Sequence, residues 1–77
     1  MRENYTYVRF KFENYGYRPG DVVKAQVIER DGRGIHVTMP SGRGHRQEIT
    51  CWSDLGSFEE LNAMEVIAHA AAGTTFR

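Results

Sequence analysis

The residues of this chain able to do acid–base, nucleophilic or metal chemistry are few and scattered: His36, His45, His69 and the single cysteine, Cys51. No two of them stand at zinc-ligand spacing, and there is no Cys-x-x-Cys pair. Cys51 falls on the apolar phase of a strand-like run, where cysteine behaves as a small hydrophobe. A reactive thiol needs a base beside it and an accessible, electropositive setting, and nothing local supplies either. No carboxylate pair or histidine-plus-nucleophile arrangement is discernible. The residues argue against an enzyme, imply no cofactor and no metal, and leave recognition as the chemistry to look for.

Recognition residues are better represented. Tyr5, Tyr7, Arg9 and Lys11 alternate with Val8, Phe10 and Phe12, so one face of the first strand is aromatic and basic while the other is apolar. If consecutive strands pair as a meander, that face also carries Lys24, Gln26, His36 and Arg46. Aromatics between cations suit single-stranded nucleic acid, which needs π-faces for bases and charge for phosphates. They suit a protein partner equally, because Tyr and Arg are enriched at interface hot spots. Two Gly-Arg-Gly tips, carrying Arg33 and Arg43, add fork-shaped donors able to bind an anion. The five strand residues between the tips put them about 17 Å apart, so they serve as two separate contacts.

The elements that must position these groups are short strands followed by one helix. Residues 5–13 read as the first strand, and residues 14–20, rich in Gly and Pro, as a loop. Residues 21–30 form the second strand, with Val23, Ala25 and Val27 inward. The connection at Asp31–Gly34 has the glycines of a tight hairpin. Residues 35–39 bury Ile35, Val37 and Met39, residues 40–44 turn, and residues 45–52 bury Ile49 and Cys51. Ser57 with Glu60 three positions on is a capping-box pattern, which predicts a helix over 57–72 with Gly73 as its stop. Phe58, Leu61, Met64, Ala68 and Ala71 recur at spacings of three and four, a stripe suited to covering the sheet. Ala63, Val66, Ile67 and Ala70 form a second apolar side, which predicts a homodimer whose helices meet there.

The run Gly20-Asp21-Val22-Val23, then Val27, then Gly34-Ile35-His36-Val37 resembles the opening strands of S1-type RNA-binding domains. The resemblance spans about twenty of the 77 residues and implies a nucleic-acid-binding barrel with His36 at a base-stacking position. A Tyr-rich strand precedes the matching run and a helix replaces the family's closing strands. Small SH3-like chromatin proteins with a C-terminal helix share the same element order.

Length allows one domain with a thin core. Ten basic and ten acidic residues cancel, but residues 1–52 carry nine basic and six acidic groups, and residues 53–77 four acidic groups and Arg77 alone. No global positive field marks a general nucleic-acid binder. One cysteine rules out an internal disulfide framework. No apolar run approaches the roughly 20 residues of a membrane span, and no apolar leader opens the chain, so a cytoplasmic protein is expected. The expectation is an α+β domain: a four-stranded, curved antiparallel meander, half-closed like an SH3 or OB barrel, with one C-terminal helix packed on it. Its expected function is non-enzymatic regulation or inhibition through contact with another protein, as in minimal phage-encoded host-takeover proteins. Single-stranded nucleic-acid binding by the Tyr/Arg face is the alternative.

Overall fold

The computed structural model describes residues 4–32, 34–53 and 56–74, with the side chains of 45 and 46 excepted. Strands β1 (Tyr5–Phe10), β2 (Val22–Asp31), β3 (Gly34–Ser41), β4 (Gly44–Trp52) and β5 (Phe58–Glu60) precede helix α1 (Ala63–Ala71). They form one five-stranded sheet in the order β4-β3-β2-β1-β5, every neighbouring pair antiparallel. The α+β class and the curved meander hold, with a fifth strand added.

Most of the expected inward positions are buried, while Val27 and Ile49 are only partly buried against the core. Val8, Phe10, Val23, Ala25, Ile35, Val37, Met39 and Cys51 belong to one core, which Phe58 and Tyr17 complete. One sheet can bury a whole face without a second layer only by curling over itself. The irregularities that help it curl are present: the β2–β3 register shifts between Val27 and Glu29, and the β3–β4 register between Pro40 and Ser41. Ile28 is the extra residue of the first bulge and is 54% exposed. A bidentate pair from Arg30 on β2 to Glu60 on β5, at 2.9 and 2.8 Å, ties two strands that are not neighbours.

Three expectations are corrected. The first strand ends at Phe10, and Phe12 is 63% exposed rather than inward. The ladder stops because Phe10 exchanges its last bonds with Asp21 and Gly20, after which the chain detours into a tight hairpin closed by Asn14 and Tyr17. Tyr17 fills the end of the core instead, stacked on Phe10 at 4.8 Å, its hydroxyl donating to the Pro40 carbonyl at 2.5 Å.

The second correction moves the start of the helix. Phe58, Glu59 and Glu60 pair with Phe10, Arg9 and Val8, so Ser57 and Glu60 do not form a capping box. Asn62 and Glu65 do: the Asn62 Oδ1 accepts from the Glu65 amide at 2.8 Å, and Glu65 Oε1 accepts from the Asn62 amide at 3.1 Å. Gly73 ends the helix as expected, at φ +78°. Its amide bonds Ala70 and that of Thr74 bonds His69, which satisfies the last carbonyls.

The third correction concerns packing. No residue of α1 is buried, and Met64, expected to face the sheet, is 80% exposed. Phe58 and Leu61, the heavy end of the expected stripe, are buried outside the helix.

Candidate binding face

The strand register fixes which side chains share the convex outer face. Tyr5 stands opposite Gln26, which stands opposite Thr38, which stands opposite Thr50. Tyr7 faces Lys24, Arg9 faces both Val22 and Glu59, His36 faces Trp52, and Pro40 faces Glu48. The expected gathering of Tyr5, Tyr7, Arg9, Lys24 and His36 on one face is therefore present.

What these groups can do is set by their partners. Lys24 Nζ lies 4.5 Å above the Tyr5 ring, a cation–π contact. The His36 ring stacks on Trp52 with centroids 4.6 Å apart and planes 6° from parallel. Tyr5, Lys24, Gln26, Thr38, Pro40 and Glu48 line a shallow groove of about 250 Å³ across four strands. Its walls carry both signs, Lys24 on one and Glu48 on another, the latter accepting from the Thr38 hydroxyl at 3.3 Å.

Arg9 is already engaged by two carboxylates. It donates to Glu59 through Nε at 3.1 Å and again through its terminal nitrogen, and lies 3.5 Å from Glu65. The hydrogen bond from Arg9 draws the Glu59 carboxyl below its ordinary value, with the charges of Arg9 and Lys11 adding to it. The guanidinium is raised by the same bond. Lys11 is exposed just beyond the end of β1. On β5, hydrogen bonds from Arg30 lower the Glu60 carboxyl, with a smaller contribution from the Thr6 hydroxyl. The basic face read from the sequence is thus partly neutralised by residues 59, 60 and 65, the acidic segment that the sequence reading assigned to a separate helix.

The remaining expected residues disperse. Arg43 sits apart, at the turn between β3 and β4. Arg33 lies outside the described residues, as does the side chain of Arg46. In α1, Ala63, Ile67 and Ala70 are exposed and Val66 is half-buried. Burial pushes the Cys51 thiol up to about 11, which keeps it protonated at neutral pH. Among the described residues no three His, Cys, Asp or Glu side chains are grouped to hold a metal ion, and no helix is long and apolar enough to cross a membrane.

Sequence reasoning missed Trp52 and Pro40, and it put Glu48 outside with Arg46 and Thr50 without counting it among the binding residues. Trp52 was within reach, since the same parity sends it outward too. Pro40 read as a turn, and only the pairing of β3 with β4 beyond Met39 shows it as a groove wall. The chain matches no protein-family model, no curated protein and no solved structure. The S1-type resemblance accordingly has only its twenty or so residues behind it.

Proposed function

We propose that the protein is a non-enzymatic binding module whose outer sheet face recognises another protein, holding an extended segment of it in the Tyr5–Pro40 groove. The observation that carries this reading is the mixed charge of that face. Glu48 lines the groove opposite Lys24, and Glu59 and Glu65 occupy Arg9. A polyanionic strand needs an unbroken run of free cations, whereas a peptide offers apolar side chains and donors and acceptors of both kinds. Tyr5, 45% exposed, with the His36–Trp52 stack supplies the aromatic anchors common at such interfaces. Regulation or inhibition of the bound protein is the outcome expected of a small module with a single recognition face.

Two measurements test this. The immobilised protein should retain from native extract a protein that the Tyr5→Ala, Lys24→Ala double variant retains at least about tenfold less. Labelled single-stranded oligonucleotide should show no complex tighter than roughly 100 μM at 150 mM salt, near the weak end of non-specific binding. A micromolar oligonucleotide complex that weakens steeply with salt would replace the protein reading with the nucleic-acid one.

A further inference from the structure

At the end of the sheet where the β1–β2 hairpin meets the β3–β4 turn, a cleft of about 410 Å³ opens between Glu13, Asn14, Tyr15, Gly16, Arg18 and Arg43. Its frame is rigid. Asn14 and Tyr17 exchange backbone bonds at 3.0 and 2.7 Å, closing a two-residue turn with both central residues left-handed, Tyr15 at φ +53° and Gly16 at φ +84°. A left-handed tyrosine is uncommon; here its carbonyl accepts from the Gly42 amide at 2.9 Å, which docks the hairpin on the turn. The Asn14 side chain donates through Nδ2 to the Ser57 hydroxyl at 2.9 Å and anchors the other side.

Onto this frame the chain brings two arginines that are far apart in sequence. Their backbones are fixed, Arg18 by its amide on Asp21 Oδ2 at 2.9 Å and Arg43 by its amide on Ser41 Oγ at 3.2 Å. Their guanidinium groups are not neutralised. Among the described residues Arg9 and Arg30 are paired with carboxylates, while Arg18 and Arg43 have no ion-pair partner. Two guanidinium forks lining one cleft favour an anion between them, and forks of this shape match carboxylate and phosphate. Glu13 on the same cleft decides between those two. A second negative charge disfavours a phosphate dianion, yet accepts from the backbone amides that accompany an acidic side chain in a peptide.

We infer that this cleft is a recognition site for a carboxylate side chain of an acidic peptide segment, held by Arg18 and Arg43. The inference rests on the reading that the partner is a protein, and it deepens that reading. Pro40 lines the groove and Arg43 the cleft, so three residues of chain hold their Cα atoms within about 11 Å. One extended partner segment can reach both, an apolar residue in the groove and an acidic one a few positions along in the cleft.

The test is a titration of the full-length, ¹⁵N-labelled protein at low salt with acetyl-Ala-Glu-Glu-Ala-amide, its Gln-Gln counterpart and its phosphoserine counterpart. The glutamate peptide should shift the amides of Gly16, Arg18 and Arg43 saturably, and the glutamine peptide should not. Arg18→Gln with Arg43→Gln should weaken binding at least about tenfold with a dispersed spectrum retained, and the double lysine variant, which keeps charge without the fork, about threefold or more. Absence of saturable shifts, or equal affinity of the lysine variant, would overturn the site. A phosphoserine peptide bound more than about tenfold tighter than the glutamate one would overturn the carboxylate assignment, because the doubly charged group would then set the preference. The peptides carry no large apolar residue, so Gln26 and Thr38 in the groove should stay still. Failure at the cleft therefore leaves the groove reading standing, and failure of the groove variants leaves the cleft testable.

Discussion

Gly42→Ala is the substitution whose effect the structure sets most sharply. A Cβ built there would lie 2.7 Å from the Gly16 carbonyl carbon, 2.8 Å from its oxygen and 3.1 Å from the Tyr15 oxygen. All three are backbone atoms of a hairpin pinned by Asn14, Tyr17 and the Gly42–Tyr15 bond, so no side chain can swing aside. Gly42 is not among the positive-φ glycines, and alanine carries no backbone penalty of its own there. The steric term is therefore isolated. Parting the two turns enough to relieve contacts under 3 Å costs about 1–3 kcal/mol, and losing the inter-turn hydrogen bond adds roughly 1 kcal/mol. A domain of this size has about 4–11 kcal/mol in all. The expected loss of about 2–4 kcal/mol should lower the melting temperature by roughly 10–25 °C. Gly44→Ala is the control, since a Cβ there meets nothing within 4 Å, and it should lie within about 1 kcal/mol of the parent. Calorimetry of both variants and of Gly16→Ala,Gly42→Ala decides the matter. The double variant should cost less than the sum of the singles, because either alanine alone already parts the same contact. If Gly42→Ala melts within about 2 °C of Gly44→Ala, the two turns do not pack in solution and the cleft loses its frame.

Three further outcomes are expected. The Glu60 carboxyl is lowered in the fold by Arg30 and Thr6, so its contribution to stability is present above the ordinary carboxylate value and is lost as pH falls through the folded one. Glu60→Gln should flatten the decline in melting temperature below about pH 4.5, and an unchanged acid limb would remove the Arg30–Glu60 pair from the stability argument. The Cys51 thiol is raised from 9.0 to about 11, so stability should fall between those pH values as the unfolded thiol ionises first; native alkylation at pH 8 should be slow and rise sharply in denaturant, and rapid native labelling would contradict its burial. For α1, Ile67→Glu should leave the melting curve almost unchanged because the side chain is 67% exposed. If the helix face pairs two copies, sedimentation at tens of micromolar should show a dimer that this variant abolishes, whereas a parent that is already monomeric would dismiss the pairing.

How far the sequence reached depended on the range of the forces involved. Alternation is local, and it located Val8, Phe10, Val23, Ala25, Ile35, Val37, Met39 and Cys51 in the core and put Tyr5, Tyr7, Lys24 and His36 outside. It failed at Phe12, where the strand is ended by bonds that Asp21 and Gly20 supply from the far side of the loop. Residues 57–60 read as a helix start because a capping box is also a local pattern, but Phe58 gains a place against Phe10, with rings 5.6 Å apart, and three residues of ladder. Burial of a large aromatic outweighs a cap worth about 1 kcal/mol. The neutralisation of Arg9 by Glu59 and Glu65 and the placing of Arg18 and Arg43 on one cleft depend on pairings that no local pattern encodes.

The three residues of β5 explain more of this molecule than any other segment of their length. By pairing with β1 they put Phe58 into the core, Glu59 against Arg9 and Glu60 against Arg30 and Thr6. The first of these closes the curled sheet on its own contents, and the other two pair with two of the three cations that β1 and β2 present. The same pairing delays the helix to Asn62 and leaves it nine residues long, with no face buried. A helix that short is marginal in water by itself. It is held by its two caps and by the reach of Glu65 to Arg9, so the ion pair that engages the cation of β1 also fastens the helix beside it. A ligand competing for Arg9 would have to displace Glu59 and Glu65, which favours the proposed groove from Tyr5 to Pro40 over the arginine as the recognition surface of this face.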